Sequence, residues 1–152
     1  MSIRSGRSSP VPWMFIRATA LIVLDTVAWT TAFILTIVVR YEFEYSRIDL
    51  SGLITTIAVA VAAQIVWGLV VGLYPGKWEL ASFREAGAVG TGGLLIAVGI
   101  FVWIGSIDGT RPIPLSITLA GPVLFVLSAL GARYLVRLAR EVRAVSRHER
   151  SK

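Results

Sequence analysis

One carboxylate, Asp25, stands inside an apolar run that extends from Phe15 to Val39. Within a spanning helix such a group costs about 2.5 to 3.5 kcal/mol on insertion scales, so it needs a cation, a donor or water beside it. Two kinds of chemistry would use it. A proton or ion relay needs a chain of intramembrane acids, whereas a structural ion pair needs one cation at the same depth. The last apolar run supplies that cation as Arg133. If the first helix enters the membrane from the side on which the fourth leaves it, the two residues share a height. We therefore expect an ion pair between Asp25 and Arg133, with Arg137 or Gln64 as alternative partners.

Other residue types narrow the chemistry further. The chain has no cysteine, which removes disulfides, thiolate nucleophiles and thiolate-held metals together. His148 is the one histidine and has no second ligand at metal spacing, and no serine has a base beside it, so neither a metal site nor a nucleophile can be assembled. The glycines at 87, 90, 92 and 93 do not form a nucleotide loop, because no strand precedes them and the spacing is wrong. No catalytic residue, cofactor or metal is expected. Gly68 and Gly72 form a G-x-x-x-G pattern, which lets two helix backbones approach closely; packing within one bundle and pairing of two copies would both use it.

The elements that must position these residues follow from composition. Of 152 residues 55% are hydrophobic and 16% charged, and the mean hydropathy is +0.74, beyond what a water-soluble fold could hide. Four runs are long enough to cross a hydrocarbon core of roughly 30 Å, which takes about 20 helical residues. They lie at about 15–39, 50–73, 87–107 and 113–136. Tyr74-Pro75-Gly76 stops the second, Asp108-Gly109 turns between the third and fourth, and Gly121-Pro122 interrupts the fourth. The first run is too long for a signal peptide, contains Asp25 and ends at Arg40 instead of a small-residue cleavage site. The expected fold is an all-α membrane protein: a tail at 1–14, a four-helix transmembrane bundle at 15–136 and a basic amphipathic helix or linker at 137–152.

Charge placement orients the bundle. Twelve of the fifteen basic residues fall in the two tails, the start of the first run, the end of the fourth and the connection after the second, leaving Arg40, Arg47 and Arg111 on the opposite side. The positive-inside rule then puts both termini in the cytoplasm. The net charge of +6 is thus directed at anionic lipid headgroups and not at nucleic acid. Arg137, Arg140 and Arg147 on the final helix, with Trp78 in a 75–86 segment read as a short interfacial helix, are the expected headgroup contacts. The final helix carries basic residues on one face and Leu135, Leu138, Val142 and Val145 on another. It is expected either to lie on the inner leaflet or to serve as a stop-transfer flank.

Four places resemble the N-terminal membrane region of bacterial polysaccharide-biosynthesis proteins of the CapD type, the membrane-bound nucleoside-diphosphate-sugar dehydratases and epimerases. They are Leu24-Asp25 with Arg40; Gly72-Leu73-Tyr74 followed by Lys77-Trp78 and Ala81-Ser82-Phe83-Arg84; Arg111-Pro112-Ile113-Pro114-Leu115-Ser116; and Ala132-Arg133-Tyr134 to Arg137. Their order and spacing cover residues 17 to 141, with a departure at Leu115, where the family commonly has arginine. The resemblance implies a bacterial cytoplasmic-membrane anchor, able to dimerise, for a nicotinamide-dependent catalytic domain of the short-chain-dehydrogenase kind. That domain would follow the fourth helix, so the chain is expected to be either the membrane part of a longer protein or a stand-alone version. No catalytic residue carries over. Two alternatives from other classes are a small four-helix transporter or flippase for lipid-linked sugars, lined by Asp25, Gln64, Arg133 and the Gly121-Pro122 break, and an accessory subunit of a larger membrane complex docking through Gly68 and Gly72.

The ion pair is testable. Reversing either charge alone, Asp25→Arg or Arg133→Asp, should lower the yield of membrane-inserted protein, and the double reversal should restore it; a double variant worse than both singles would reject the pairing.

Overall fold

The computed structural model describes residues 11–44, 46, 48–74, 82–107 and 113–149. Four helices make up the fold: α1 (Val11–Arg40), α2 (Leu50–Val71), α3 (Phe83–Gly105) and α4 (Leu115–Glu149). Each is long and apolar enough to cross a membrane, and no strand occurs among the described residues. The chain is a multi-pass helical membrane protein. The helices close a ring in which α1 packs on α2 and α4, and α3 packs on α2 and α4. The α1–α4 and α3–α4 seams are the most extensive.

Helix ends are set by local chemistry. Asp49 caps α2 by accepting from the Gly52 amide at 3.1 Å, and Ser82 caps α3 by accepting from the Glu85 amide at 3.2 Å. That second cap starts α3 at Phe83, four residues before the expected Gly87. Residues 83–86 are thus the first turn of a spanning helix instead of part of an interfacial one. The rest of that segment, 75–81 with Trp78, and the Asp108-Gly109 turn lie outside the described residues. At the end of α2, Gly72 adopts φ 77°, ψ 27°, and the amides of Gly72 and Leu73 bond back to the carbonyls of Leu69 and Gly68. This left-handed closure suits glycine because a Cβ is penalised there.

The interior is built from aromatic rings seated on small residues. Trp29 stacks on Phe125 at a centroid distance of 4.1 Å and on Phe33 at 5.5 Å. Gly121 leaves room for the Phe33 ring, and α4 runs unbroken through Pro122. The break expected at Gly121-Pro122 is therefore a packing position. Gly92 likewise admits the Trp67 ring, whose indole nitrogen donates to the Ala88 carbonyl at 2.9 Å and ties α2 to α3. Hydroxyls in the spans are satisfied locally: Thr26, Thr30, Thr36 and Thr56 each donate to the carbonyl four residues earlier. Lipid-facing surface is then left to side chains such as Val27, Ile54, Leu94 and Val123.

Two glycines on α3 make a controlled comparison. A Cβ at Gly92 would run into the Trp67 indole, whereas one at Gly99 meets open space. Gly92→Ala should destabilise the bundle by about 1 to 3 kcal/mol and Gly99→Ala should change stability by no more than about 0.5 kcal/mol, as read from thermal unfolding in detergent by tryptophan fluorescence.

Candidate functional site

All four helices send a polar group to one point in the bundle. Arg133 of α4 is fully buried. Its Nη2 donates to Asp25 Oδ1 on α1 at 2.7 Å, its Nε donates to Glu85 Oε1 on α3 at 3.0 Å, and its Nη1 donates to the Ala129 carbonyl at 3.3 Å. Tyr74, just past α2, donates its hydroxyl to Asp25 Oδ2 at 3.0 Å, and that hydroxyl lies 3.4 Å from the Gln64 carbonyl oxygen. Each Asp25 oxygen thus has a donor. Asp25, Tyr74 and Glu85 are as buried as the arginine they surround.

Each side chain arrives by a sequence-encoded route. Asp25 falls on the α1 face that also buries Leu21, Ala28 and Trp29, at the three- and four-residue spacing of one helix face. Glu85 is the third residue of α3, held in the first turn by the Ser82 cap and sharing its inward face with Ala88, Val89 and Gly92. Tyr74 needs two glycines. The left-handed Gly72 turns the chain back on α2, and Gly68 lacks the Cβ that would collide with the returning phenol ring. Burial, and then the adjoining Asp25 carboxylate, push the Tyr74 phenol well above its ordinary range, which keeps it a donor.

Of the residues singled out from sequence, Asp25 and Arg133 are brought together directly. Gln64, offered as an alternative partner, contributes its backbone carbonyl; its buried side-chain amide makes no hydrogen bond among the described residues. Arg137, the other alternative, occupies an exposed position one turn further along α4. Gly68 and Gly72 are both buried, one under Tyr74 and one closing α2, so they do not offer the open face that pairing with another helix would need. Trp78 and the side chains of Arg140 and Arg147 lie outside the described residues. Two members were not anticipated. Tyr74 and Glu85 sit in stretches rich in charge and aromatics that read as membrane interface; the signal available was Ser82-x-x-Glu85, a helix-start pattern that places Glu85 in a first turn.

The arrangement is suited to holding helices together. A guanidinium presents several donors in a rigid plane and can serve two carboxylates at once, which a lysine ammonium does less specifically. Grooves on the bundle lie elsewhere: one of about 570 Å³ between α1 and α2 and one of about 420 Å³ between α2 and α3, both lined almost wholly by apolar side chains. Neither lining includes Asp25, Tyr74, Glu85 or Arg133. No protein-family model, curated protein or solved structure matches the chain.

Removing one partner of a buried ionic cluster costs far more than its formation gains, because the other charge is left desolvated. Arg133→Ala strands two carboxylates and should destabilise by about 3 to 5 kcal/mol. Tyr74→Phe removes one hydrogen bond and should cost about 1 kcal/mol, with Asp25→Asn and Glu85→Gln in between. Glu85 also alters the charge-reversal experiment. An aspartate at 133 would face Glu85, so the double reversal should recover only part of the yield and adding Glu85→Gln should raise it. The monodisperse fraction after mild detergent extraction reads all of these, and an Arg133→Ala variant no worse than Tyr74→Phe would contradict the analysis.

Proposed function

We propose that this chain is a non-catalytic anchoring domain of the bacterial cytoplasmic membrane, with both termini in the cytoplasm, that holds nucleotide-sugar chemistry for polysaccharide assembly at the inner leaflet. One observation carries the reading. The polar residues that bear the family resemblance, Asp25, Tyr74 and Arg133, are engaged with one another and with Glu85 in a buried cluster. Side chains used in this way support a rigid scaffold, while a transporter for lipid-linked sugars would need them to face a hydrated path. The basic residues gathered on the two tails and the inner connection supply attraction to anionic headgroups, at about 1 kcal/mol for each one near the surface. Chemistry on the sugar nucleotide belongs to a dehydrogenase-like partner domain, to which the chain contributes location.

Deleting the coding region of this chain from its host should move nucleotide-sugar dehydratase or epimerase activity from the membrane to the soluble fraction and lower polysaccharide output. Re-expression of the natural chain should reverse both effects and the Arg133→Ala variant should not. Activity that stays on the membrane after deletion, or movement of lipid-linked sugars across proteoliposomes that contain this chain alone, would overturn the proposal.

A further inference from the structure

A groove of about 370 Å³ runs between α1 and α4 at the end of the bundle away from the buried cluster. Leu35 and Val39 form one wall, Ala120 and Leu124 the other, and Arg40 and Ser116 line its mouth. Both of these last two stand at helix ends, since Arg40 closes α1 and Ser116 is the second residue of α4. Each also marks the edge of an apolar span, and Arg40 lies a rise of about 22 Å beyond Asp25 on the same helix. From Ser116 to Leu124 α4 rises about 12 Å. One leaflet contributes about 15 Å to a hydrocarbon core of roughly 30 Å, so the groove runs from headgroup depth through most of one leaflet.

Apolar walls at this depth accept any acyl chain and confer no preference among lipids. Arg40 does. It is exposed and makes no ion pair or side-chain hydrogen bond among the described residues, although Glu42 and Glu44 follow within four positions. Ser116 likewise keeps its hydroxyl unengaged among the described residues, whereas Thr36 on the wall donates its own to the Ala32 carbonyl at 2.7 Å. A guanidinium presents several donors in a plane that matches phosphate oxygens, and a hydroxyl beside it adds one more. A zwitterionic headgroup carries the same phosphate but brings a cation to compete with Arg40, so the preference is for net negative charge. The grooves between α2 and α3 and on the α3–α4 seam have no charged side chain in their linings.

We propose that the α1–α4 groove binds one anionic glycerophospholipid, with an acyl chain along Leu35, Val39, Ala120 and Leu124 and the phosphate held by Arg40 and Ser116. The lipid bridges α1 and α4 at the end of their seam far from the Asp25–Arg133 pair. The inference rests on the anchoring reading only for orientation: with both termini in the cytoplasm, the lipid belongs to the outer leaflet. The site is therefore distinct from the general attraction of the tails and the inner connection to headgroups of the inner one.

Photo-cross-linking tests the site in the full chain. The protein is reconstituted in phosphatidylcholine vesicles that contain a small fraction of either phosphatidylglycerol or phosphatidylcholine with a diazirine on its acyl chain, and cross-linked residues are mapped by mass spectrometry. Phosphatidylglycerol should label Leu35, Val39, Ala120 and Leu124 at least about fivefold more than phosphatidylcholine, the ratio that corresponds to about 1 kcal/mol for one basic residue near anionic lipid. At Val59 and Leu95 in the α2–α3 groove the two probes should label alike. Arg40→Gln, a change at an exposed position that leaves the fold intact, should bring the ratio in the α1–α4 groove close to one. Ala120→Leu, which fills the channel, should reduce labelling there by both probes. Equal labelling of that groove by the two probes in the natural chain, or a preference that survives Arg40→Gln, would refute the site. Reporter fusions at the two termini read orientation separately. Termini found outside the cell would sink the anchoring reading and move the lipid to the other leaflet, while leaving the cross-linking pattern unchanged.

Discussion

A guanidinium cannot be left bare inside hydrocarbon, and the architecture is organised around meeting that requirement for Arg133. The two carboxylates that meet it come from α1 and α3, and the hydroxyl that completes one of them comes from the end of α2. In water such a cluster often gains little over an apolar replacement. Between helices surrounded by lipid, where burial of apolar side chains no longer distinguishes neighbour from solvent, directional polar contacts become a means of choosing which helices meet and at what depth.

Several features that look unrelated in the sequence follow from that cluster. Gly72 ends α2 in a left-handed turn so that the chain can fold back, Gly68 makes room for the ring that returns, and Ser82 begins α3 early enough for Glu85 to join its first turn. The middle of the bundle uses a different device. There rings from one helix lie over glycines of another, as Phe33 does over Gly121 and Trp67 over Gly92. Van der Waals fit of this kind holds helices together in a bilayer, with one hydrogen bond added where the Trp67 indole meets the Ala88 carbonyl.

How much of this was legible beforehand depended on contrast. The four spans stood out because length and hydropathy are sums over many residues, and Asp25 and Arg133 stood out because each is a charge in an apolar run. Glu85 and Tyr74 had no such contrast, since their neighbours Trp78, Glu79, Phe83 and Arg84 already read as membrane surface. Gly68 and Gly72 were visible as a pair, but their separate roles depend on where α2 stops and where Tyr74 goes next. A spacing rule carries neither piece of information. Pro122 signals a break because its ring removes one amide from the ladder, whereas the helix passes through it unbroken with Gly121 giving Phe33 a seat.

Fixing one residue of an uninterrupted helix fixes the rotational phase of all the others. Arg133 is gripped on two sides, and nothing interrupts α4 between it and Glu149. The C-terminal arm is therefore indexed to the helical bundle like a key on a shaft: it cannot swivel about its own axis unless the guanidinium first leaves its carboxylates.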